Sequence, residues 1–344
     1  GGSSGDGTPA AQHSVQRLWQ VPEATRWLPQ AEPPAWLAAL RSAAAQRSTD
    51  LAVLAISLAV LAIALLNQRR LSARPGVLRS FRTAWLVFTL GFIGWWAQAQ
   101  LSVVSLTAAL EAGAAGRPLA FLLADPVALL LWAFTGISLL VWGRGTFCGW
   151  LCPFGALQEL AGLLAQAAGW RQRALHRRVD QRLKWLKYAV LAVLCTGAAA
   201  GAGWTDAAVE VEPFKTAISQ HFQRDWPYLA WAALCVAAGV LVHRGYCRYV
   251  CPLGAALALA GWLRRWRWIP RHAACGTPCQ TCRHRCAYQA ITPAGAVQYG
   301  ECFQCLDCVA LHQDARRCLP LLQATRAGTG RVVPIVPAPV VVRT

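Results

Sequence analysis

From Leu51 to Gln68 the chain reads LAVLAISLAVLAIALLNQ, an 18-residue run without a charged side chain. About 20 apolar residues of helix span the roughly 30 Å hydrocarbon core of a bilayer, so this run is just long enough to cross it. Buried core helices of a large soluble protein are the alternative, but too little polar sequence separates such runs to cover them. We therefore predict five transmembrane helices, the first in this run and the others in four uncharged windows, Thr83 to Leu110, Pro126 to Gly143, Tyr188 to Thr205 and Trp226 to His243.

The composition of the whole chain agrees with a membrane protein. Of its 344 residues, 56% are hydrophobic and 14% are charged, whereas soluble domains carry about 25% charged residues. This balance excludes a single soluble globule, a disordered chain and a collagen-like chain. The chain contains no Met and opens on Gly1-Gly2-Ser3-Ser4-Gly5 without a signal peptide, so we expect a fragment or a processed chain.

Basic residues alternate between the segments that flank the five windows. The segments on one predicted side hold 26 Lys and Arg, and those on the other side hold 7. The richer side is cytoplasmic by the positive-inside rule, which leaves residues 1–48 in the periplasm or outside the cell and the C-terminus in the cytoplasm. The same bias accounts for the net charge of +18. Because no helix-turn-helix or zinc-finger spacing accompanies this charge, we expect no direct nucleic-acid binding.

Ten of the 14 cysteines lie between Cys247 and Cys318, on the side predicted to face the cytoplasm. Thiols stay reduced there, which argues against a disulfide scaffold and leaves them available as metal ligands. Eight of them form two runs, Cys275-x3-Cys279-x2-Cys282-x3-Cys286 and Cys302-x2-Cys305-x2-Cys308-x9-Cys318.

The spacing of these runs is typical of a ferredoxin with two [4Fe-4S] clusters, in which three close cysteines hold one cluster and the fourth ligand comes from the other run. Structural zinc sites also use C-x2-C pairs, but each triplet here leaves one sulfur that a zinc ribbon does not need. Two departures from the ferredoxin pattern are the x3 spacing after Cys275 and Ala287 in place of the usual Pro. The turn-rich segment 287–301 predicts a small hairpin. The predicted ligand sets are Cys275, Cys279, Cys282 and Cys318 for one cluster, and Cys302, Cys305, Cys308 and Cys286 for the other.

A second motif occurs twice, about a hundred residues apart. Arg144 to Ala156 reads RGTFCGWLCPFGA, and Arg244 to Ala255 reads RGYCRYVCPLGA. Each copy follows a predicted spanning helix and precedes an apolar stretch too short to cross the membrane. Cysteines four residues apart share a helical face, and Pro fits the start of the next helix. We predict a paired C-x3-C-P site that holds a metal, a cluster or a redox dithiol and consists of Cys148, Cys152, Cys247 and Cys251.

The remaining candidate residues indicate no further cofactor. Cys195 and Cys235 lie inside the fourth and fifth windows and are interpreted as core packing. Only His243 lies in a window, at its end, so no bis-His haem site is expected. No catalytic acid-base pair, nucleophile or phosphate loop is present. Five polar residues are interpreted as solvated, with contact to a quinol or a partner protein as the alternative: Gln98, Gln100, Glu210, Glu212 and Lys215.

Several stretches together resemble the NosR/NirI family. The resemblance covers roughly residues 45–325. It rests on FCGWLCPFGALQEL at 147–160, EPFKTA at 212–217, CRYVCPLGAA at 247–256, the cysteine segments 275–279 and 301–308, the segment 94–103, and Asp125-Pro126. NapH-type quinol dehydrogenase subunits are similar in the paired C-x3-C-P elements and the two clusters, but have four helices and lack the Glu-Pro-Phe-Lys segment.

The resemblance implies a bacterial inner-membrane protein of denitrification. In that family a periplasmic FMN domain precedes five helices and cytoplasmic [4Fe-4S] clusters. Its members are needed for expression and sustained activity of nitrous oxide reductase and are thought to pass electrons to it. Residues 1–48 are too short for the FMN domain and lack its Ser/Thr-Gly-Ala-Thr attachment motif, so FMN is not predicted in this chain.

The predicted fold is an all-α polytopic membrane protein with five transmembrane helices, followed by a small α+β two-cluster ferredoxin-like domain. The domains are a periplasmic segment 1–48, a membrane domain 49–268, a cluster domain 269–325 and a tail 326–344. The predicted function is electron transfer, without substrate turnover, between the cytoplasmic clusters and the periplasmic side. Nitrous oxide reductase or its maturation system is the expected partner, and a quinol or a cytoplasmic reductant the expected donor. The alternatives are a redox sensor for transcription of nitrous oxide reductase genes, copper delivery through the C-x3-C-P thiols, and a NapH-type quinol dehydrogenase subunit.

Overall fold

The computed structural model describes residues 35–99, 101–117, 119, 125–326 and 335–336. Most of the predicted periplasmic segment, Gln100 and most of the predicted tail lie outside these ranges. The described part is mostly helical. Its α-helices are α1 Ala35–Gln46, α2 Ser48–Leu66, α3 Gln68–Ser72, α4 Pro75–Phe88, α5 Val103–Ala114, α6 Pro126–Val141, α7 Pro153–Ala167, α8 Arg177–Ala199, α9 Thr205–Ala208, α10 Trp226–Leu241, α11 Gly245–Tyr249, α12 Pro252–Ala260, α13 Thr281–Arg285, α14 Asp307–Gln313 and α15 Leu319–Arg326.

Five short segments have other helical geometry, and two short strands complete the regular structure. The π-helical segments are Thr89–Trp96, Phe147–Leu151 and Lys215–Ser219, and the 3-10 segments are Val209–Val211 and Gly261–Leu263. Strand β1, Arg271–His272, pairs antiparallel with β2, Ile335–Val336. This pairing brings two residues of the predicted tail back to the start of the cluster region.

Two helices in the described part are long and apolar enough to cross a membrane. They are Ser48–Leu66 and the continuous helix from Pro75 to Trp96, which overlap the first two predicted windows. The other three windows also contain a helix, but α6 and α10 have 16 residues each, and α8 begins with a charged segment at Arg177. Length and composition in the structure therefore support two of the five predicted spans.

The second predicted window, Thr83 to Leu110, is not a single helix. Helix α4 begins before the window and includes Arg82, whose charge is paired with a carboxylate. After Trp96 the chain turns through Gln98, which has a φ of 48°, and Ser102 caps the separate helix α5 by accepting a hydrogen bond from the Val104 N–H. The structure corrects this window because the absence of charge does not reveal where the backbone turns.

The cysteine-rich region packs directly against the helical part of the chain. One hydrophobic cluster runs from Leu54 of α2 through Trp150 to Phe303 and Val309. Within this region the predicted hairpin is present, since Thr292 N–H donates to Ala296 O over 2.9 Å. The candidate site therefore lies at a buried junction and not on a detached domain.

Candidate metal centres

The structure gathers four of the predicted cluster ligands around one cavity. Cys286, Cys302, Cys305 and Cys308 all line this cavity. Burial raises the pKa values of the Cys302, Cys305 and Cys308 thiols above those of an ordinary thiol. The charge of Cys286 raises each of these pKa values further. Cys286, which precedes the hairpin, thus lies with the three cysteines that follow the hairpin. The crossed ligand assignment requires this arrangement.

Three of the other four predicted ligands line a second, smaller cavity, and the fourth interacts with all three. Cys275, Cys279 and Cys282 line this cavity. Burial raises the pKa of the Cys318 thiol to about 11, and the charges of Cys282, Cys275 and Cys279 contribute to the shift. Cys318 is 36 residues further along the chain than Cys282, yet it belongs spatially to the first run.

The two cavities adjoin, and glycine backbones form the wall of the smaller one. Cys282 lines both cavities, and its Sγ lies 4.0 Å from Cys308 O. Gly276 and Gly295 have φ values of 106° and 79°, and a Cβ atom on either would clash with the backbone beside the other. Glycine is therefore required here for the cysteine loop to approach the hairpin.

The donor sets of both cavities fit [4Fe-4S] clusters. Each consists of four thiols spread around a space, which suits a four-iron cluster better than a single tetrahedral ion with its ligands about 2.3 Å away. Among the described residues, no three His, Cys, Asp or Glu side chains converge closely enough to hold one metal ion. Burial raises the pKa of five of these thiols, those of Cys282, Cys302, Cys305, Cys308 and Cys318, and binding of iron as thiolate ligands would release their protons.

Each C-x3-C-P element starts a helix with its second cysteine. Cys152 is the N-cap of α7, and its Sγ accepts a hydrogen bond from Gly155 N–H over 3.3 Å. Cys251 is the N-cap of α12, and its Sγ accepts one from Gly254 N–H over 3.2 Å. In both helices Pro is the first residue, as predicted. A helix N-terminus stabilises negative charge, but burial is the larger effect and raises the pKa of both thiols, so without a bound metal they are protonated.

The two elements bring their four thiols together in the interior. All four side chains are buried. Burial, followed by the charges of Cys152 and Cys148, raises the pKa of the Cys247 thiol. The charges of Cys247, Cys152 and Cys148 also contribute to the raised pKa of the Cys251 thiol. The repeated elements therefore form one site with four sulfurs and not two independent pairs.

The arginine at the start of each element binds the other element. Arg144 Nη1 donates to Gly254 O over 2.9 Å. In return, Arg244 donates to Cys148 O through Nη1 and to Gly149 O through Nη2, the latter over 3.1 Å. These reciprocal hydrogen bonds hold the two cysteine turns against each other. The arginines are part of the repeated sequence, which is the signal that could have revealed this role.

Buried positive charge exceeds buried negative charge around the four thiols. Three buried or nearly buried carboxylates each contact two cations. The ion pairs are Glu159 with Arg82 and Arg244 at 2.6 Å each, Glu301 with Lys187 at 2.7 Å and Arg144 at 3.7 Å, and Asp180 with Arg248 at 2.5 Å and Lys184 at 2.8 Å. Sequence reasoning assigned none of these residues a role. The cations among these whose charges act on Cys148 are Arg144, Arg244 and Lys187, and positive charge at this position stabilises an anionic, thiolate-bound group.

A loop of the cluster region connects the larger cavity to the four thiols. Phe303 and Gln304 lie between the predicted ligands Cys302 and Cys305. Trp150 Nε1 donates to Gln304 O over 3.0 Å, and a Cβ atom on Gly149 would clash with Phe303 O. The guanidinium carbons of Arg144 and Arg244 lie 4.9 and 5.6 Å from the centre of the Phe303 ring. Phe303 thus lies between the two groups of thiols.

The Glu-Pro-Phe-Lys segment reaches the four-thiol site from the other side. Glu212 is buried and accepts hydrogen bonds from Ser102 Oγ over 2.7 Å and from Val103 N–H over 2.9 Å. Burial raises the pKa of its carboxyl group to about 7, and its charge acts on Cys251. The Phe214 ring lies 5.7 Å from that of Phe154. Interpreting Glu212 as a solvated loop charge is therefore wrong.

The remaining candidates are polar residues near the surface and two cysteines within helices α8 and α10. Glu210 pairs with Arg224 and Lys215 near the surface, and exposed Gln98 donates to Ser219 O. Cys235 is buried in α10, and Cys195 packs against a separate small hydrophobic cluster, in agreement with core packing.

Comparison with known proteins connects these centres to a family. A family model described as NosR matches residues 273–329, and a model described as a 4Fe-4S binding domain matches residues 124–178 and 225–270. The regulatory protein NosR of Stutzerimonas stutzeri is 41% identical over 293 residues, which are 85% of this chain and 40% of that protein. The chain belongs to the NosR/NirI family. The 4Fe-4S model covers both C-x3-C-P elements, and the NosR model covers the tail cysteines.

Two further relatives give the same NosR/NirI assignment. The regulatory protein NosR of Pseudomonas aeruginosa is 42% identical over 318 residues, covering 90% of this chain and 44% of the relative. The protein NirI of Paracoccus denitrificans is 40% identical over 277 residues, which are 80% of this chain and 41% of that protein. The chain thus spans about two fifths of the length of these curated NosR/NirI relatives. No solved structure matches it.

Proposed function

We propose that this NosR/NirI chain carries electrons across the inner membrane, between two cytoplasmic [4Fe-4S] clusters and the periplasmic side, by way of the four C-x3-C-P thiols. The observation that carries the proposal is the packing of the Phe303–Gln304 loop, which contains no gap between the larger cysteine cavity and the Gly149–Trp150 turn. Along this path, the first site is the cavity of Cys275, Cys279, Cys282 and Cys318, and the second is the cavity of Cys286, Cys302, Cys305 and Cys308. The four C-x3-C-P thiols and then the Glu212 segment follow. A bound cluster would accept and release one electron at a time.

The proposed ligands are the eight tail cysteines in the crossed sets. Cys275, Cys279, Cys282 and Cys318 hold one cluster, and Cys286, Cys302, Cys305 and Cys308 hold the other. We further propose that Cys148, Cys152, Cys247 and Cys251 hold an iron site. The surplus of buried cations beside these thiols and the match of both elements to a 4Fe-4S model support this occupant.

The proposed topology has five crossings, by α2, α4, α6, α8 and α10, with the C-terminus in the cytoplasm. The starts of α2 and α6 are adjacent, since Arg47 pairs with Asp125 over 3.2 Å. Their ends are adjacent too, because Trp268 donates to Trp142 O and accepts from Gln68. Two parallel helices with one proposed crossing, α4, between them in the chain agree with alternating crossings. The excess of Lys and Arg supports the orientation, with domains at 1–48, 49–268, 269–325 and 326–344.

The proposed partner on the periplasmic side is nitrous oxide reductase or its maturation system, and the donor is a quinol or a cytoplasmic reductant. Both follow from the resemblance to the NosR/NirI family. Regulation is a second candidate function, because two relatives carry the name regulatory protein. A sensor needs a cluster that responds to redox state but needs no relay through the four thiols.

Iron analysis tests the proposed metal sites. The full chain and a variant with Ser at Cys148, Cys152, Cys247 and Cys251 are purified without oxygen, and their iron and acid-labile sulfide are measured along with EPR spectra after dithionite reduction. We expect about eight iron atoms per chain in the variant and more in the parent. Equal iron in both would contradict the iron site at the four thiols. Fewer than about eight, with zinc in their place, would contradict the two clusters.

Single cysteine variants separate electron transfer from regulation. Cys148→Ser and Cys247→Ser are introduced in a denitrifying host, and nitrous oxide reductase activity and transcript are measured. If the thiols form a relay, we expect activity to fall at least tenfold while the transcript stays normal. Cys195→Ser is the matched control, since this cysteine packs in a separate cluster, and it should change neither quantity. Loss of transcript in the two variants would favour the regulatory function instead.

A further inference from the structure

A single arginine lies between the two cysteine cavities. Arg271 is the first residue of β1 and is almost fully buried, with 1% of its surface exposed. It lines the smaller cavity. Its charge acts on Cys308 of one proposed ligand set and on Cys282 and Cys275 of the other. Arg271 is thus placed to affect both clusters at once.

The charge of Arg271 is not cancelled by a neighbour among the described residues. None of the ion pairs in this part of the chain includes Arg271, and its Nε and Nη2 atoms lack a hydrogen-bond acceptor. The carboxylates of Glu301, Glu159 and Asp180, by contrast, are engaged with other cations. A buried guanidinium without a counterion is costly unless negative charge is supplied by a bound group.

The groups packed around Arg271 do not supply that negative charge. The rings of His272 and His312 stack with centroids 3.9 Å apart and are both buried. Burial lowers the pKa of the His312 imidazole to about 4, with the charges of His272, Arg271 and Arg69 contributing, so this ring is neutral near pH 7. Arg69 is the other charged side chain that acts on this pair, and it is a cation. The cysteines of the two cavities, which would be thiolates with iron bound, are therefore the groups among the described residues that would balance Arg271.

We infer that Arg271 raises the reduction potentials of both clusters, because its unpaired guanidinium stabilises the additional negative charge when either cluster gains an electron. The inference rests on the proposed function, since it requires both clusters. Reduction potentials of iron–sulfur clusters depend on nearby charge, hydrogen bonds and burial. A cation shared by two clusters shifts both potentials in the same direction.

EPR-monitored redox titration with dithionite tests this inference on the full, anaerobically purified chain. We expect Arg271→Gln and Arg271→Met to lower the equilibrium constant for one-electron reduction of both clusters at least tenfold, which is a 59 mV decrease in potential. Arg271→Lys, which keeps the charge, should give a smaller decrease. Arg316→Gln is the matched control, because Arg316 is exposed to solvent and is not among the residues that line either cavity, so its charge is screened. It should leave both potentials unchanged.

The outcomes separate the inference from the proposed function. Unchanged potentials in Arg271→Gln and Arg271→Met, with iron fully retained, would overturn the role of Arg271 and leave the clusters in place. If both neutral variants lose iron while Arg271→Lys retains it, the positive charge is needed to hold the thiolates, which supports the inference. Iron loss in all three variants would assign Arg271 a packing role and overturn it. Absence of iron from the parent would contradict the proposed function itself.

Discussion

Replacing Glu159 with glutamine is expected to lower the free energy of unfolding by about 3 to 5 kcal/mol. The Glu159 carboxylate binds Arg82 through a 2.6 Å contact and Arg244 through another of 2.6 Å. Both cations are largely buried, and removing their shared partner leaves two uncompensated charges in the interior. Arg244 also holds the carbonyl groups of Cys148 and Gly149, so the four-thiol site should loosen as well. Thermal unfolding in detergent, followed by circular dichroism, measures the change.

The control for Glu159→Gln is an ion pair of the same kind at the surface. Arg317 pairs with Asp314 over 3.4 Å, and its side chain is 62% exposed. Exposed pairs contribute about 0 to 1 kcal/mol, because water and salt screen them. Arg317→Gln should therefore unfold within a few degrees of the parent. If Glu159→Gln unfolds at the same temperature as Arg317→Gln, the buried triad does not stabilise the junction.

Replacing Gly149 with alanine is expected to destabilise the protein by about 3 kcal/mol, at the upper end of the usual cost of overpacking. The added methyl group would overlap the carbonyl oxygen of Phe303, which belongs to the backbone and cannot rotate away. The cluster loop would have to move away from Trp150, whose indole donates to Gln304 O. Thermal unfolding measures the loss of stability, and iron analysis before heating establishes whether the clusters are retained.

Gly136→Ala provides the comparison for Gly149→Ala. Gly136 lies in α6, and no atom is found within 4 Å of a Cβ built there. Alanine is favoured over glycine in a helix by about 1 kcal/mol, so this variant should be as stable as the parent or slightly more stable. Equal unfolding temperatures for both glycine variants would mean that the loop is not held against the Gly149 turn.

Cysteine spacing predicted the site more completely than absence of charge predicted the helices. The crossed partnership of Cys318 with the first run was proposed from spacing alone, and the structure brings these residues together. Cysteine spacing is informative because few cysteine patterns suit a four-iron cluster. Similarly, the Pro after Cys152 predicted the start of α7, because Pro restricts where a helix can begin.

Uncharged windows failed where charges are paired in the interior. Arg82 lies within α4, and Lys184 and Lys187 lie within α8, so these helices extend past the predicted window edges. Each of these cations contacts a carboxylate from a distant part of the chain or from the preceding helical turn. Such pairing depends on tertiary contacts and leaves no local pattern. The same reason explains why the burial of Glu212, bound to Ser102, could not be read from the sequence.

The fit of the Phe303–Gln304 loop against the Gly149–Trp150 turn bears on the kinetics of the proposed function. A ferredoxin that carries electrons by diffusion must dissociate, rotate and find its acceptor. Here the corresponding region shares a hydrophobic core with the helices, and its loop leaves no room for even a methyl group. Transfer between the two groups of thiols would then require no excursion of the cluster region. Its rate would be set by tunnelling distance and driving force, and it would not slow when the viscosity of the solvent is increased.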